Sequence, residues 1–114
     1  MSEISYTLPV LALRGLTVLP DMIVHFDVSR PKSIAALEAA MLEEQNILLV
    51  TQLDPGNDKP KKEDLYTVGT VAKIKQMVKM PKDMLRGLVE GKFRAHLDEM
   101  VQEKPFMLAE VTIY

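Results

Sequence analysis

One stretch of this chain carries a helical period, and almost everything around it does not. From Ser33 to Gln45 (SIAALEAAMLEEQ) strong helix formers dominate, and Ile34, Leu37, Ala40 and Met41 recur at three-and-four spacing as one apolar stripe. Elsewhere the apolar residues alternate or come in short runs. Leu8 to Leu13 (LPVLAL) and Ile23 to Val28 (IVHFDV) read as strands on either side of the breaker-rich Arg14 to Asp21. In the second of them Val24, Phe26 and Val28 share the apolar face, and Ile23, His25 and Asp27 share the other. Ile47 to Thr51 (ILLVT) reads as a strand buried on both faces. Tyr66 to Lys79, Met84 to Glu90, Phe93 to Val101 and Phe106 to Tyr114 are strand-like, with breaks at Met80-Pro81-Lys82-Asp83, Gly91-Lys92 and Lys104-Pro105. These are hairpin spacings. Six or seven strands and one helix in 114 residues predict a mainly β fold, a small barrel or strongly curled sheet of about six strands. Closure removes the exposed edges that so small an open sheet has to protect.

The connections carry their own expectations. Pro31 belongs in the first turn of the helix, where its missing N–H costs nothing, and Ser29 or Ser33 is placed to cap it. Asn46 is placed to close it. Asp54 to Asp64 (DPGNDKPKKED) holds two prolines, one glycine and seven charged residues, which predicts a mobile loop.

Composition narrows the role without naming it. With 114 residues there is room for one domain, 1–114, and the formal charge of -2 commits it to no strongly charged partner. The absence of cysteine removes disulfides, thiolate metal sites and cysteine nucleophiles together, and suits a reducing cytoplasm. Met1-Ser2-Glu3-Ile4-Ser5 lacks the pattern of a secretion signal, and no apolar run approaches the roughly 20 residues of a membrane helix.

Catalytic signatures are missing. Gly91-Lys92 is followed by Phe93 rather than Ser or Thr, so the phosphate-cradling loop is not formed and no cofactor is expected in this chain. Neither Ser2, Ser5, Ser29 nor Ser33 sits in a nucleophile elbow, and His25 and His96 lack metal-ligand spacing, which predicts two surface histidines and no metal. Two features remain. Lys73, Lys75, Lys79, Lys82, Arg86, Lys92 and Arg94 face only Asp83 and Glu90, a basic stretch that could neutralise phosphates or be a solvated strand face. Phe93 is the one aromatic within it, whereas single-strand binders present several, so nucleic acid is the weaker reading. Met77, Met80 and Met84 fall in or beside the turn at Pro81, where polar residues are the rule. Either they fill gaps in the core, or they form an adaptable rim for varied apolar partners.

The residue order also resembles a known family. Leu8-Pro9-Val10-Leu11-Ala12-Leu13-Arg14-Gly15, then Val18-Leu19-Pro20-Asp21-Met22, then Phe26-Asp27-Val28 and Ser33-Ile34-Ala35-Ala36-Leu37, resemble the start of bacterial Lon, the ATP-dependent protease. Val68-Gly69-Thr70-Val71-Ala72-Lys73-Ile74 and Leu88-Val89-Glu90-Gly91, with Arg94-Ala95, continue the resemblance to about Val111. It implies a Lon amino-terminal β lobe, a PUA-like barrel with one helix, that recognises substrates and supports assembly in a protease degrading misfolded and regulatory proteins. In that family a helical lobe, an AAA+ ATPase and a Ser-Lys serine protease domain follow. The resemblance therefore implies ATP and magnesium in the whole protein, unfolded or degron-bearing proteins as substrates, and a hexamer of Lon subunits. For these residues alone it implies no catalysis and a monomer or weak dimer, with a strand at Val111 to Tyr114 left as a pairing edge. Gly87 and Lys92-Phe93 depart from the family pattern, and Gly87 predicts a bulge or close backbone contact. The competing reading is a free-standing PUA-like RNA-binding module using Lys73 to Arg94.

Overall fold

The apolar alternations become the strands of a single sheet. The computed structural model describes residues 4–114, so the part of the secretion-signal reading that rests on Met1 to Glu3 lies outside the described residues. In chain order the elements are β1 (Ile4–Leu13), β2 (Ile23–Val28), α1 (Pro31–Leu42), β3 (Asn46–Thr51), β4 (Val68–Met80), β5 (Met84–Gln102) and β6 (Met107–Ile113). A single-turn helix, Lys62–Asp64, precedes β4. The sheet runs β2-β5-β4-β3-β1-β6, and β5 pairs with β6 as well. Five strands thus join in a cycle while β2 adds to the outer flank of β5, giving a rolled, barrel-like sheet rather than a closed six-stranded barrel.

Two apolar layers follow from the alternation. One face of the cycle fills the interior with Leu8, Val10 and Ala12 of β1, Leu48 and Val50 of β3, Val71 of β4, Ala95 and Leu97 of β5, and Met107, Ala109 and Val111 of β6. The other face, through Leu11, Leu13, Ile47, Leu49, Ala72, Ile74 and Val89, packs under α1 and β2. β3 is buried on both faces because it lies between these layers, as its continuous apolar run predicts.

Several connections differ from the sequence-based expectation. Gly91-Lys92 is not a turn: β5 continues through it for 19 residues, with a bulge at Lys92. Gly91 instead lets the loop from β1 to β2 lie flat on the strand, exchanging backbone hydrogen bonds with Asp21 and Met22 at 2.9 and 2.8 Å. A Cβ on Gly91 would stand 2.3 Å from the Leu19 carbonyl oxygen. Gly87 carries no bulge; it sits in register with Phe26 and Met77, where a Cβ would meet the Phe26 ring at an ordinary 3.7 Å.

Helix α1 starts two residues before the predicted Ser33 and ends at Leu42. Its N-cap is Arg30, with no side-chain cap from Ser29 or Ser33. It is closed by Gln45, left-handed at φ +66°, whose N–H reaches the Ala40 carbonyl, while Asn46 already belongs to β3. The buried stripe is Ser33, Ala36, Leu37 and Ala40, so the helix is rotated from the predicted stripe and leaves Ile34 and Met41 half-buried. Small residues let the helix approach the sheet closely.

The Asp54 to Asp64 segment is tied down. Gln52, 2% exposed, donates from Nε2 to the carbonyls of Asp54 and Asn57, and the Leu53 N–H bonds to the Asp64 carbonyl. Arg14 forms an ion pair with Asp58 on the same segment. β6 has partners on both sides, β1 and β5, and the Tyr114 N–H bonds to the Arg94 carbonyl. The predicted pairing edge at Val111 to Tyr114 is therefore occupied within the chain. Unpaired edges include β2 and Lys75 to Met80 of β4, because β3 pairs with β4 only from Thr70 to Lys73.

Candidate functional site

Where β4 and β5 run past the cycle they form, with β2, a three-stranded arm ending in the turn Pro81-Lys82-Asp83. Lys82 and Asp83 are both left-handed there, at φ +66° and +58°, a conformation short polar side chains tolerate best. Register assigns each residue of the arm to a face. Val24, Val89 and Ile74 align on the inward face, followed by Phe26, Gly87 and Met77, then Val28, Leu85 and Lys79. Val24, Phe26, Val28 and Met77 pack there against the layer under α1.

The outward face holds Ile23, Glu90 and Lys73, then His25, Leu88 and Gln76, then Asp27, Arg86 and Val78, and finally Met84 opposite Met80. Its apolar members are exposed or half-buried, with Ile23 at 65% and Val78 at 41%. A shallow depression of about 260 Å³ lies among His25, Gln76, Val78, Arg86 and Leu88. Three methionines flagged by sequence are thus divided: Met80 and Met84 pair across the outward face, and Met77 turns inward beneath Phe26. Residues 77 and 80 are an odd number apart, so strand alternation alone separates them. Ile23, Val78 and Leu88 complete the apolar patch and were not singled out by sequence. The hairpin register around Pro81 is the signal that would have placed Val78 beside Met80.

The basic stretch does not form one surface. Two bulges each offer a lysine, Lys75 from β4 and Lys92 from β5, and both amines reach Glu90 Oε1, at 3.3 and 3.1 Å. Hydrogen bonds from Lys92 and then Lys75 hold the Glu90 carboxyl below its usual range. Arg86 grips Asp27 with two parallel hydrogen bonds, Nε to Oδ1 at 2.8 Å and Nη2 to Oδ2 at 3.1 Å. That grip lowers the Asp27 pKa and raises that of Arg86. Lys73, Lys79, Lys82 and Arg94 have no ion-pair partner among the described residues. They are spread over the outward face, the inward face, the turn and the far part of β5.

The remaining titratable groups stand apart. His25 is exposed on β2, while His96 on β5 bonds through Nδ1 to Asp98 at 2.6 Å. Asp98 also accepts a hydrogen bond from Thr112, and these contacts, Thr112 first, lower its pKa. No group of three or more His, Cys, Asp or Glu among the described residues is placed to hold a metal ion. No described helix is long and apolar enough to cross a membrane, which leaves β-strand spanning untouched.

Scaffold and surface together define a class: a small rolled-β domain whose projecting arm offers partly exposed apolar side chains between ion pairs. Within that class the chain belongs to the ATP-dependent protease La (LON) substrate-binding domain family, whose sequence model matches residues 7–114. It is 52% identical over 112 residues to a Lon protease of Lachnoclostridium phytofermentans, and 46% identical over 112 residues to one of Clostridium acetobutylicum. Each alignment covers 98% of this chain and 14% of the relative, so the chain spans about a seventh of their length. In fold it is similar to the N-terminal domain of Mycobacterium avium complex Lon protease, with TM-score 0.71 and 23% identity over 96% of this chain and 54% of that one. It is likewise similar to a Lon N-terminal domain protein from Xanthomonas campestris, with TM-score 0.71 and 14% identity over 95% of this chain and 59% of that one.

Proposed function

We propose that this domain captures unfolded or degron-bearing protein segments for a Lon-type protease, holding them on the outward face of the β2-β5-β4 arm. One observation carries the reading: five apolar side chains, Ile23, Val78, Leu88, Met80 and Met84, share an outward sheet face and keep part of their surface in water. A protease that must accept unrelated sequences needs apolar contact without shape demands, and methionine's three rotatable bonds supply it. Weak, adaptable contact also permits release. In this reading ATP and magnesium act in other parts of the protease, the whole protein assembles with further Lon subunits in the cytoplasm, and the 114-residue chain is a monomer or weak dimer.

Fluorescence anisotropy tests it against the RNA reading. Labelled casein should bind the chain with little dependence on salt, while single- and double-stranded RNA should bind only weakly, since Glu90 and Asp27 already engage three of the seven cations of the basic stretch. Salt-sensitive micromolar RNA binding without casein binding would reverse the assignment.

A further inference from the structure

At the mouth of the barrel lies a cavity of about 350 Å³ that shares no residue with the arm. Its floor is apolar: Val10, Ala12 and Met107, which also line the barrel interior, with Pro31 and Pro60 closing the sides. Its cations are Arg30, Lys32, Lys59 and Lys104, contributed by the start of α1, the Asp54 to Asp64 segment and the turn before β6. Among the described residues Asp58 is the one acidic member of the wall, and it is already engaged by Arg14. Barrel mouths of this size are common ligand sites.

Two independent observations say what the cavity lacks. The N-terminus of the 12-residue helix α1 opens into it with no side-chain cap and no acidic residue in its first turn, so its positive end has no counter-charge. Ser33, only 6% exposed, lines the same wall, and its hydroxyl enters none of the side-chain hydrogen bonds found among the described residues. A hydroxyl so placed is free to donate to an oxygen that enters the cavity. Arg30 is held in place by a 2.9 Å bond to the Ala12 carbonyl, and burial and the nearby Arg14 charge disfavour its own charge, so an arriving anion would relieve it.

We propose that this cavity binds a carboxylate carrying an aliphatic group, with the carboxylate at the α1 N-terminus, Ser33 and the basic rim, and the aliphatic group on Val10, Met107 and Pro60. A bare inorganic anion would leave that apolar floor uncovered, and a neutral ligand would leave the helix end and the cations without a counter-charge. The same chemistry is offered by the C-terminal residue of a peptide and by a free small aliphatic acid.

The test follows amide resonances of the isotope-labelled 114-residue chain during titration with N-acetyl-leucine. Saturable shifts are expected at Ala12, Ser33, Lys59 and Met107. N-acetyl-leucinamide and inorganic phosphate should each bind at least about tenfold more weakly, in line with the loss of a charge-assisted contact or of the apolar contact. Lys59 and Lys104 are exposed, so the double variant Lys59→Glu with Lys104→Glu keeps the fold, checked by unchanged resonances elsewhere, and should weaken N-acetyl-leucine about tenfold. A tetrapeptide ending in leucine that binds more tightly than N-acetyl-leucine assigns the site to peptide C-termini; equal affinity assigns it to small acids. The proposal is overturned if the amide or phosphate binds as tightly as the acid, if no saturable shift maps to the cavity, or if the double variant binds unchanged.

Discussion

Replacing Met80 and Met84 together by serine separates a binding face from a structural one. Both side chains are half-buried at the end of the hairpin, opposite each other on the outward face. Full burial of a methionine stabilises by about 1.5–3 kcal/mol, and roughly half of that is at stake at each position, so the pair should cost about 2 kcal/mol. For a domain near 100 residues that is a melting temperature lower by about 8 °C. Met77 makes the contrast. It packs on the inward face against the layer under α1 but is likewise only half-buried, so Met77→Ser alone should cost about 1–2 kcal/mol and about 4–8 °C. Thermal unfolding followed by circular dichroism gives the stabilities, and anisotropy with labelled casein, corrected for the folded fraction, gives the affinities. The double variant should lose casein binding about fivefold to tenfold, and Met77→Ser should retain it once the folded fraction is counted. If the double variant melts far more than about 8 °C lower and binds casein as the parent does, the outward methionines are structural and the reasoning fails.

Two glycines in the same strand should respond oppositely. Gly91→Ala drives a Cβ to 2.3 Å from the Leu19 carbonyl and should destabilise by more than about 2 kcal/mol, whereas Gly87→Ala meets only the Phe26 ring at 3.7 Å and should change urea stability by less than about 1 kcal/mol. Acid should weaken the fold through Asp27, Glu90 and Asp98, whose carboxyls are all held below their ordinary values of 3.8, 4.5 and 3.8. The unfolded chain then takes up protons that the folded chain refuses, so this stabilisation is complete above about pH 5 and is lost as pH falls through and below those values. Urea midpoints from pH 6 to 3 should fall along that limb, and Asp27→Asn should flatten it; an unaltered slope would show that the Arg86 pair contributes nothing.

Strand periods were largely legible because they are local. Val24, Phe26 and Val28 lie on the buried face that their alternation implies, and β3 is doubly buried as its unbroken apolar run implies. What escaped was decided by distant chain segments. Gly91 looks like a turn until Leu19 is known to cross it, and no local pattern announces that crossing. The helix stripe turned toward Ser33 and Ala36 because the sheet beneath selects small residues, not the largest apolar moment. Contacts of the Asp54 to Asp64 segment with the sheet come through Gln52, a buried amide just past the end of a strand, where polarity alone suggests solvent. At the candidate site the sequence singled out the hairpin on which Met80 and Met84 face each other, but it treated the basic residues as one surface. Two bulges redirected Lys75 and Lys92 onto Glu90, and bulges of that kind leave little trace in composition.

The outward arm face as the place where substrate is held is best tested by labelling the methionine methyl groups and adding an extended apolar peptide amidated at its C-terminus. Amidation keeps the barrel-mouth cavity out of the experiment. Met80 and Met84 methyl resonances should move and saturate together with the binding curve, while Met41 on α1 and Met100 against the barrel interior stay in place. Saturable binding that leaves Met80 and Met84 unmoved, or that moves Met41 or Met100 instead, would contradict the assignment.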